Sequence, residues 1–90
     1  MNQVKIGKFI AKLRKEKKMT QQELADLLNV TDRAISNWEN GRRMPDVTFF
    51  KPLCEILDIS VNELVAGERI SKEDKQTLDK TSISLQNVSY

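Results

Sequence analysis

Between Asp32 and Arg43 the chain sets polar and charged side chains at helical spacing. At about 100° per residue, Asp32, Arg33, Ser36, Asn37 and Asn40 cluster on one side of a helix, and Thr31, Ala34, Ile35 and Trp38 on the other. The first set is polar, short to medium in length, and rich in groups that donate and accept hydrogen bonds, which is the composition of a reading face. The second set anchors. Arg42 and Arg43 follow at once in a loop. The chemistry this pattern offers is hydrogen-bonded recognition beside positive charge.

The rest of the composition points the same way. Histidine is absent, which removes the commonest general base and transition-metal ligand. One cysteine, Cys54, can neither close an internal disulfide nor supply a structural zinc site, so no metal and no secretory framework are expected. No Gly-rich phosphate loop and no carboxylate pair in a cleft-forming context is legible. The chain therefore reads as a non-enzyme without cofactor or small-molecule pocket. No apolar run is long enough for a signal peptide or a membrane span, so a cytoplasmic location is expected.

Ninety residues make one domain, large enough for a helical core without staples. Ile6, Phe9, Ile10 and Leu13 recur at helical spacing, giving an amphipathic helix from Val4 to about Lys17. Thr20-Gln21-Gln22-Glu23 is a capping box that opens a second helix with Leu24, Ala25, Leu27 and Leu28 as its buried stripe and Asn29 as its stop. Thr31 caps a third, from Asp32 to Asn40, which Gly41 ends. Asp46 starts a fourth, with Phe49, Phe50, Leu53, Cys54, Ile56 and Leu57 as a broad apolar face. Ser60-Val61-Asn62-Glu63 is a second capping box, opening a short helix with Val61, Leu64 and Val65 inward and Gly67 beyond.

The second and third helices are too short to be stable alone, so the first and fourth must brace them. Such bracing holds the third helix proud of the surface, in a shape that can enter a major groove. Charge agrees: Met1 to Pro45 carries ten basic against five acidic residues, whereas Asp46 to Tyr90 carries five against eight. One end of the molecule thus suits a polyanion, although a solvated lysine face gives the same imbalance. For Lys5, Lys8 and Lys12 the solvated face is the preferred reading.

The runs Thr20-Gln21-Gln22-Glu23-Leu24-Ala25, Val30-Thr31, Ile35-Ser36-Asn37-Trp38-Glu39-Asn40-Gly41-Arg42 and Pro45-Asp46 resemble the Cro/cI-type (Xre family) helix-turn-helix, the fold of lambda repressor-like DNA-binding domains. The resemblance covers about Val4 to Gly67. It implies an all-α, five-helix domain over residues 1–67, with residues 68–90 as a polar C-terminal extension. It also implies a sequence-specific regulator of transcription, a repressor by preference. Such a protein would bind double-stranded DNA at a pseudo-palindromic operator as a homodimer, reading the major groove with helix 31–40.

Carried over by position, the resemblance assigns base contacts to Asp32, Arg33, Ser36 and Asn37. Arg33 suits guanine O6 and N7, and Asn37 suits adenine N6 and N7 or a phosphate. Asp32 departs from the family pattern: a carboxylate can only accept, from a cytosine amino group for example, or orient Arg33. Phosphate contacts fall to Thr20, Gln21 and Gln22 at the second helix N-terminus, and to Thr31, Asn40, Arg42 and Arg43. Arg14 and Glu39 stand where similar proteins form a partly buried ion pair. Asn29 stands where the family often has glycine.

An interaction module on the same fold, antitoxin-like or an adaptor, is the other reading, and a basic, polar third-helix face argues against it. Leu24, Leu28, Ile35, Trp38, Phe49, Phe50 and Leu53 read as core, and Cys54 as a buried inert thiol. Beyond Gly67, Ser71-Lys72-Glu73-Asp74 could cap one or two polar turns. Ser82 to Leu85, Val88 and Tyr90 alternate like a strand. A flexible extension is preferred there over a pairing arm or a linker. Val61, Leu64 and Val65, with Ile83 and Leu85, are the residues expected to serve the homodimer.

Overall fold

The computed structural model describes residues 1–70. Within them lie five α-helices, α1 (Gln3–Glu16), α2 (Gln21–Leu28), α3 (Asp32–Glu39), α4 (Phe50–Leu57) and α5 (Val61–Ala66), with a 3₁₀ turn at Val47–Phe49, and no strand. The expectations for the tail from Ser71 to Tyr90, its capped turn and strand-like run, lie outside the described residues.

The helices start where side chains can satisfy orphan amides. Asn2 accepts from the Lys5 amide, Thr31 from Ala34, and both Thr20 and Ser60 close reciprocal capping boxes with Glu23 and Glu63. The start of α4 differs from expectation. Asp46 caps the 3₁₀ turn by accepting from the Thr48 amide at 3.1 Å, and α4 itself begins at Phe50 without a side-chain cap. The turn supplies the winding, and Pro52, lacking an N–H, falls in the first turn of α4, where the amide would have had no intrahelical partner.

All five helices end alike. Lys18, Asn29, Gly41, Asp58 and Gly67 have φ near +60 to +75°. In each case the next residue's amide bonds a carbonyl five residues back: Met19 to Arg14, Val30 to Ala25, Arg42 to Asn37, Ile59 to Cys54 and Glu68 to Glu63. This is the Schellman closure, which turns the chain sharply and satisfies the last carbonyls. Asn29, Gly41 and Gly67 are legible as stops; Lys18 and Asp58 are not.

One core unites the elements. Ile6, Ile10, Leu13, Leu24, Ile35, Leu53, Leu57 and Leu64 are fully enclosed, each worth about 1.5–3 kcal/mol of burial. α1 packs chiefly on α3, α2 on α3, and α4 on α5. Trp38 meets Phe49 with ring centroids 5.5 Å apart and planes at 50°, tying the end of α3 to the turn before α4.

Four expected core positions are corrected. Leu27 is 61% exposed, because the stripe of α2 closes with Leu24, Ala25 and Leu28 and leaves Leu27 on the outer side. Val61 is 46% exposed, since α5 is short enough to bury only Leu64 fully. Phe49 and Phe50 are half-buried, packed against the core's edge rather than within it. Beyond Gly67 the chain folds back on α1: Lys5 pairs with Glu68 at 2.8 Å and Arg69 with Glu16 at 2.7 Å. No described helix is long and apolar enough to cross a membrane.

Candidate nucleic-acid interface

The turn between α2 and α3 fixes the geometry of everything polar around it. Asn29 takes the left-handed conformation (φ 59°, ψ 43°) that asparagine tolerates better than most residues. Thr31 is extended and its hydroxyl caps α3. Ile35 and Trp38 then plant one side of α3 in the core, leaving the other side outward. The sequence pattern of α3 therefore becomes a spatial one: apolar beneath, polar above.

An open concavity of about 440 Å³ is lined by Gln21, Asp32, Arg33, Ser36, Asn37 and Arg42. The structure thus brings four proposed base-contacting residues together with two proposed phosphate-contacting ones. Asp32, Arg33 and Arg42 are exposed, and Ser36 and Asn37 half-buried. No described residue forms an ion pair or side-chain hydrogen bond with Arg33, Asn37, Arg42 or Arg43. Asp32 does not pair with Arg33, so the expected alternative role of orienting that arginine is absent from this structure. Ser36 is partly engaged, its hydroxyl accepting from Asn40 Nδ2 at 3.2 Å.

The loop after α3 is held to it. The amides of Arg42 and Arg43 both bond the Asn37 carbonyl, at 2.9 and 3.3 Å, and Gln3 Nε2 donates to the Gly41 carbonyl at 2.6 Å. Gly41 is needed here for its positive φ of 74° and because a Cβ would come within 2.9 Å of the Val4 side chain. The two arginines are therefore displayed from a fixed backbone.

The remaining expected contacts are dispersed. Thr20 and Thr31 spend their hydroxyls as caps, and Gln22 donates to Asp26 at 2.8 Å along α2. Asn40 lines a second, adjoining groove of about 710 Å³ between α1 and the end of α3, and Gln21 lines both. Beneath them lies a network. Arg14 Nε donates to Glu39 Oε2 at 2.7 Å and its Nη2 to Oε1 at 3.1 Å, while Nη1 donates to the Met19 carbonyl at 2.7 Å. Gln21 Nε2 adds a third bond to Glu39, at 2.9 Å. With side chains only 10% and 6% exposed, this forked pair joins α1, α2 and α3 behind the reading face.

The Gln21–Glu39 bond has no signal in the sequence, whereas Lys8 and Lys12 are exposed, as a solvated face requires. The structure sets both, with Lys15, along the groove shared with Gln21 and Asn40. Their spacing on α1 was the available signal.

Residues 10–64 match the family model described as helix-turn-helix. The chain belongs to the helix-turn-helix family. A relative in Bacillus subtilis, the uncharacterized HTH-type transcriptional regulator YqaE, is 41% identical over 63 residues, spanning 70% of this chain and 54% of that one. The P22 c2 repressor protein, solved in complex with a synthetic operator, is 30% identical at a TM-score of 0.66, over 70% of this chain and 96% of that one. Hydroxypropylphosphonic acid epoxidase from S. wedmorenis is 25% identical at a TM-score of 0.64, over 70% of this chain and 34% of that one. The helix-turn-helix fold thus also occurs within a longer protein named for an epoxidase, and fold alone does not assign function. This chain spans about half the length of the first curated relative it matches.

Proposed function

We propose that this helix-turn-helix domain is a sequence-specific, double-stranded DNA-binding regulator of transcription, a repressor by preference, acting in the cytoplasm as a homodimer on a pseudo-palindromic operator. The observation that carries the proposal is the concavity over α3, where Arg33, Asn37 and Arg42 converge without partners of their own. Free cationic and amide groups on a protruding helix are what base edges and phosphates require.

In this reading Arg33 forks onto guanine, Asn37 onto adenine, and Asp32 and Ser36 meet neighbouring bases, Asp32 accepting from a cytosine amino group. Gln21 presents the α2 N-terminus to phosphate, aided by Thr20 and Gln22. Thr31, Asn40, Arg42 and Arg43 hold the strands on either side. The named role of the P22 c2 repressor is in keeping with repression.

Selection of bound sequences from random duplexes tests this directly. One enriched motif of two related half-sites, bound by two copies of the chain, is the expected result. Recovery of no preferred motif, or binding insensitive to salt, overturns it.

A further inference from the structure

We propose that Lys8, Lys12 and Lys15 on α1 form a second phosphate track, which carries the DNA backbone away from the reading face and extends the footprint beyond the base pairs that α3 contacts. The inference rests on the DNA-binding reading above and adds a site to it.

The groove between α1 and the end of α3 is lined by Lys8, Lys12, Arg14 and Lys15 against a single acid, Glu39. That carboxylate's charge is already matched by the Arg14 fork, with the Gln21 amide as a further donor, so three cations remain uncompensated. The other cations nearby on the same surface are paired: Lys5 with Glu68, and Arg69 with Glu16 of α1 itself. No described residue pairs with Lys8, Lys12 or Lys15. Lys8 and Lys12 also border the shallow groove that holds the Lys5–Glu68 pair, yet neither shares that carboxylate, so with Lys15 they stay uncompensated beside cations that are paired.

Lys8, Lys12 and Lys15 fall within about 60° of one another around α1. They span about 10 Å along its axis, comparable to three nucleotides of one strand at about 3.4 Å of rise each. Gln21 lines both this groove and the concavity over α3, so the two meet at the α2 N-terminus. A strand whose phosphate docks at Gln21 runs from there past Asn40 onto the lysines. The occupant is therefore the sugar-phosphate backbone of flanking base pairs, read for charge and not for sequence.

The test compares the full chain with the Lys8→Gln/Lys12→Gln/Lys15→Gln and Lys8→Arg/Lys12→Arg/Lys15→Arg variants on the selected duplex, with and without flanking base pairs, from 50 to 200 mM salt. Each lost phosphate contact lowers the slope of log affinity against log salt by about 0.9. The glutamine variant should thus lose a slope of roughly 2–3, keep the same preferred motif, and no longer gain from the flanks, while the arginine variant behaves as wild type. Equal circular dichroism spectra establish that all three are folded. A glutamine variant with the wild-type slope overturns the track while leaving the DNA-binding reading intact. Failure of the wild-type chain itself to bind any duplex overturns both.

Discussion

Gly7 on α1 and Trp38 on α3 meet through their backbones: a Cβ at residue 7 would overlap the Trp38 carbonyl oxygen and lie 3.1 Å from that of Glu39. The absence of a side chain is what lets α1 settle onto the last turn of α3, and that approach sets the height and tilt of the reading face. Two effects oppose each other in Gly7→Ala. Alanine gains about 1 kcal/mol of helix propensity over glycine, but overlap with main chain cannot be relieved by a rotamer change and costs about 1–3 kcal/mol or more. We expect net destabilisation in urea titration, with weaker DNA binding at 25 °C. A stabilised Gly7→Ala protein would contradict the close approach.

The Arg14–Glu39 pair is buried enough that its loss exposes a partner with nowhere to go. Glu39→Gln should cost about 3–5 kcal/mol, because Arg14 keeps only the neutral Met19 carbonyl and its buried charge loses its counter-ion. Replacing both, as Arg14→Met with Glu39→Leu, should recover much of the loss, since paired removal leaves no orphan charge. Thermal unfolding of the two single variants and the double variant measures the coupling. Additive effects would mean that the pair does little.

Burial, reinforced by the charges of Glu63 and Glu55, pushes the Cys54 thiol above its ordinary value of 9.0. A raised folded pKa means that the native state keeps its proton longer than the unfolded chain, so the stability linked to Cys54 is complete below about pH 9 and declines as pH rises past it. The thiol is 7% exposed, so iodoacetamide should modify it only as fast as the domain opens. Cys54→Ala should abolish its share of the alkaline loss. Rapid alkylation of the native protein at pH 8, without change in helicity, would place the thiol at the surface instead.

Much of the scaffold was legible because its signals are local. Two capping boxes, the Thr31 cap, and Asn29, Gly41 and Gly67 as stops are each decided by a few neighbouring residues, and the structure has them at those positions. What could not be read is decided between elements. Gly7 carries no sign in the sequence that Trp38 will press against it. Leu27 has the apolar character of its neighbours and becomes solvent-facing only once α3 has taken the other side of α2. The left-handed turns at Lys18 and Asp58 arise from the need to reverse the chain, not from the preference of those side chains. Of the site, the face of α3 follows from periodicity alone. The third bond from Gln21 to Glu39 depends on α2 and α3 being placed first.

Arg33 and Arg43 are both exposed and unpaired, yet their supports differ, and that difference predicts different losses. Arg33 rises from the first turn of α3 into the concavity with Asn37, where a guanidinium can fork onto one base. Arg43 belongs to a loop pinned to the Asn37 carbonyl and does not line that concavity, so the proposed reading gives it a phosphate and not a base. Arg33→Ala should lose about 1–3 kcal/mol on the selected site and relax the preference at one base pair, while random duplex is bound almost as before. Arg43→Ala should weaken both by similar factors and reduce the salt slope by about 0.9. Repeating the random-duplex selection with each variant reads out the distinction. An unchanged motif for Arg33→Ala, or a changed one for Arg43→Ala, would reassign the two arginines, because only a side chain that touches base edges can alter which sequence is preferred.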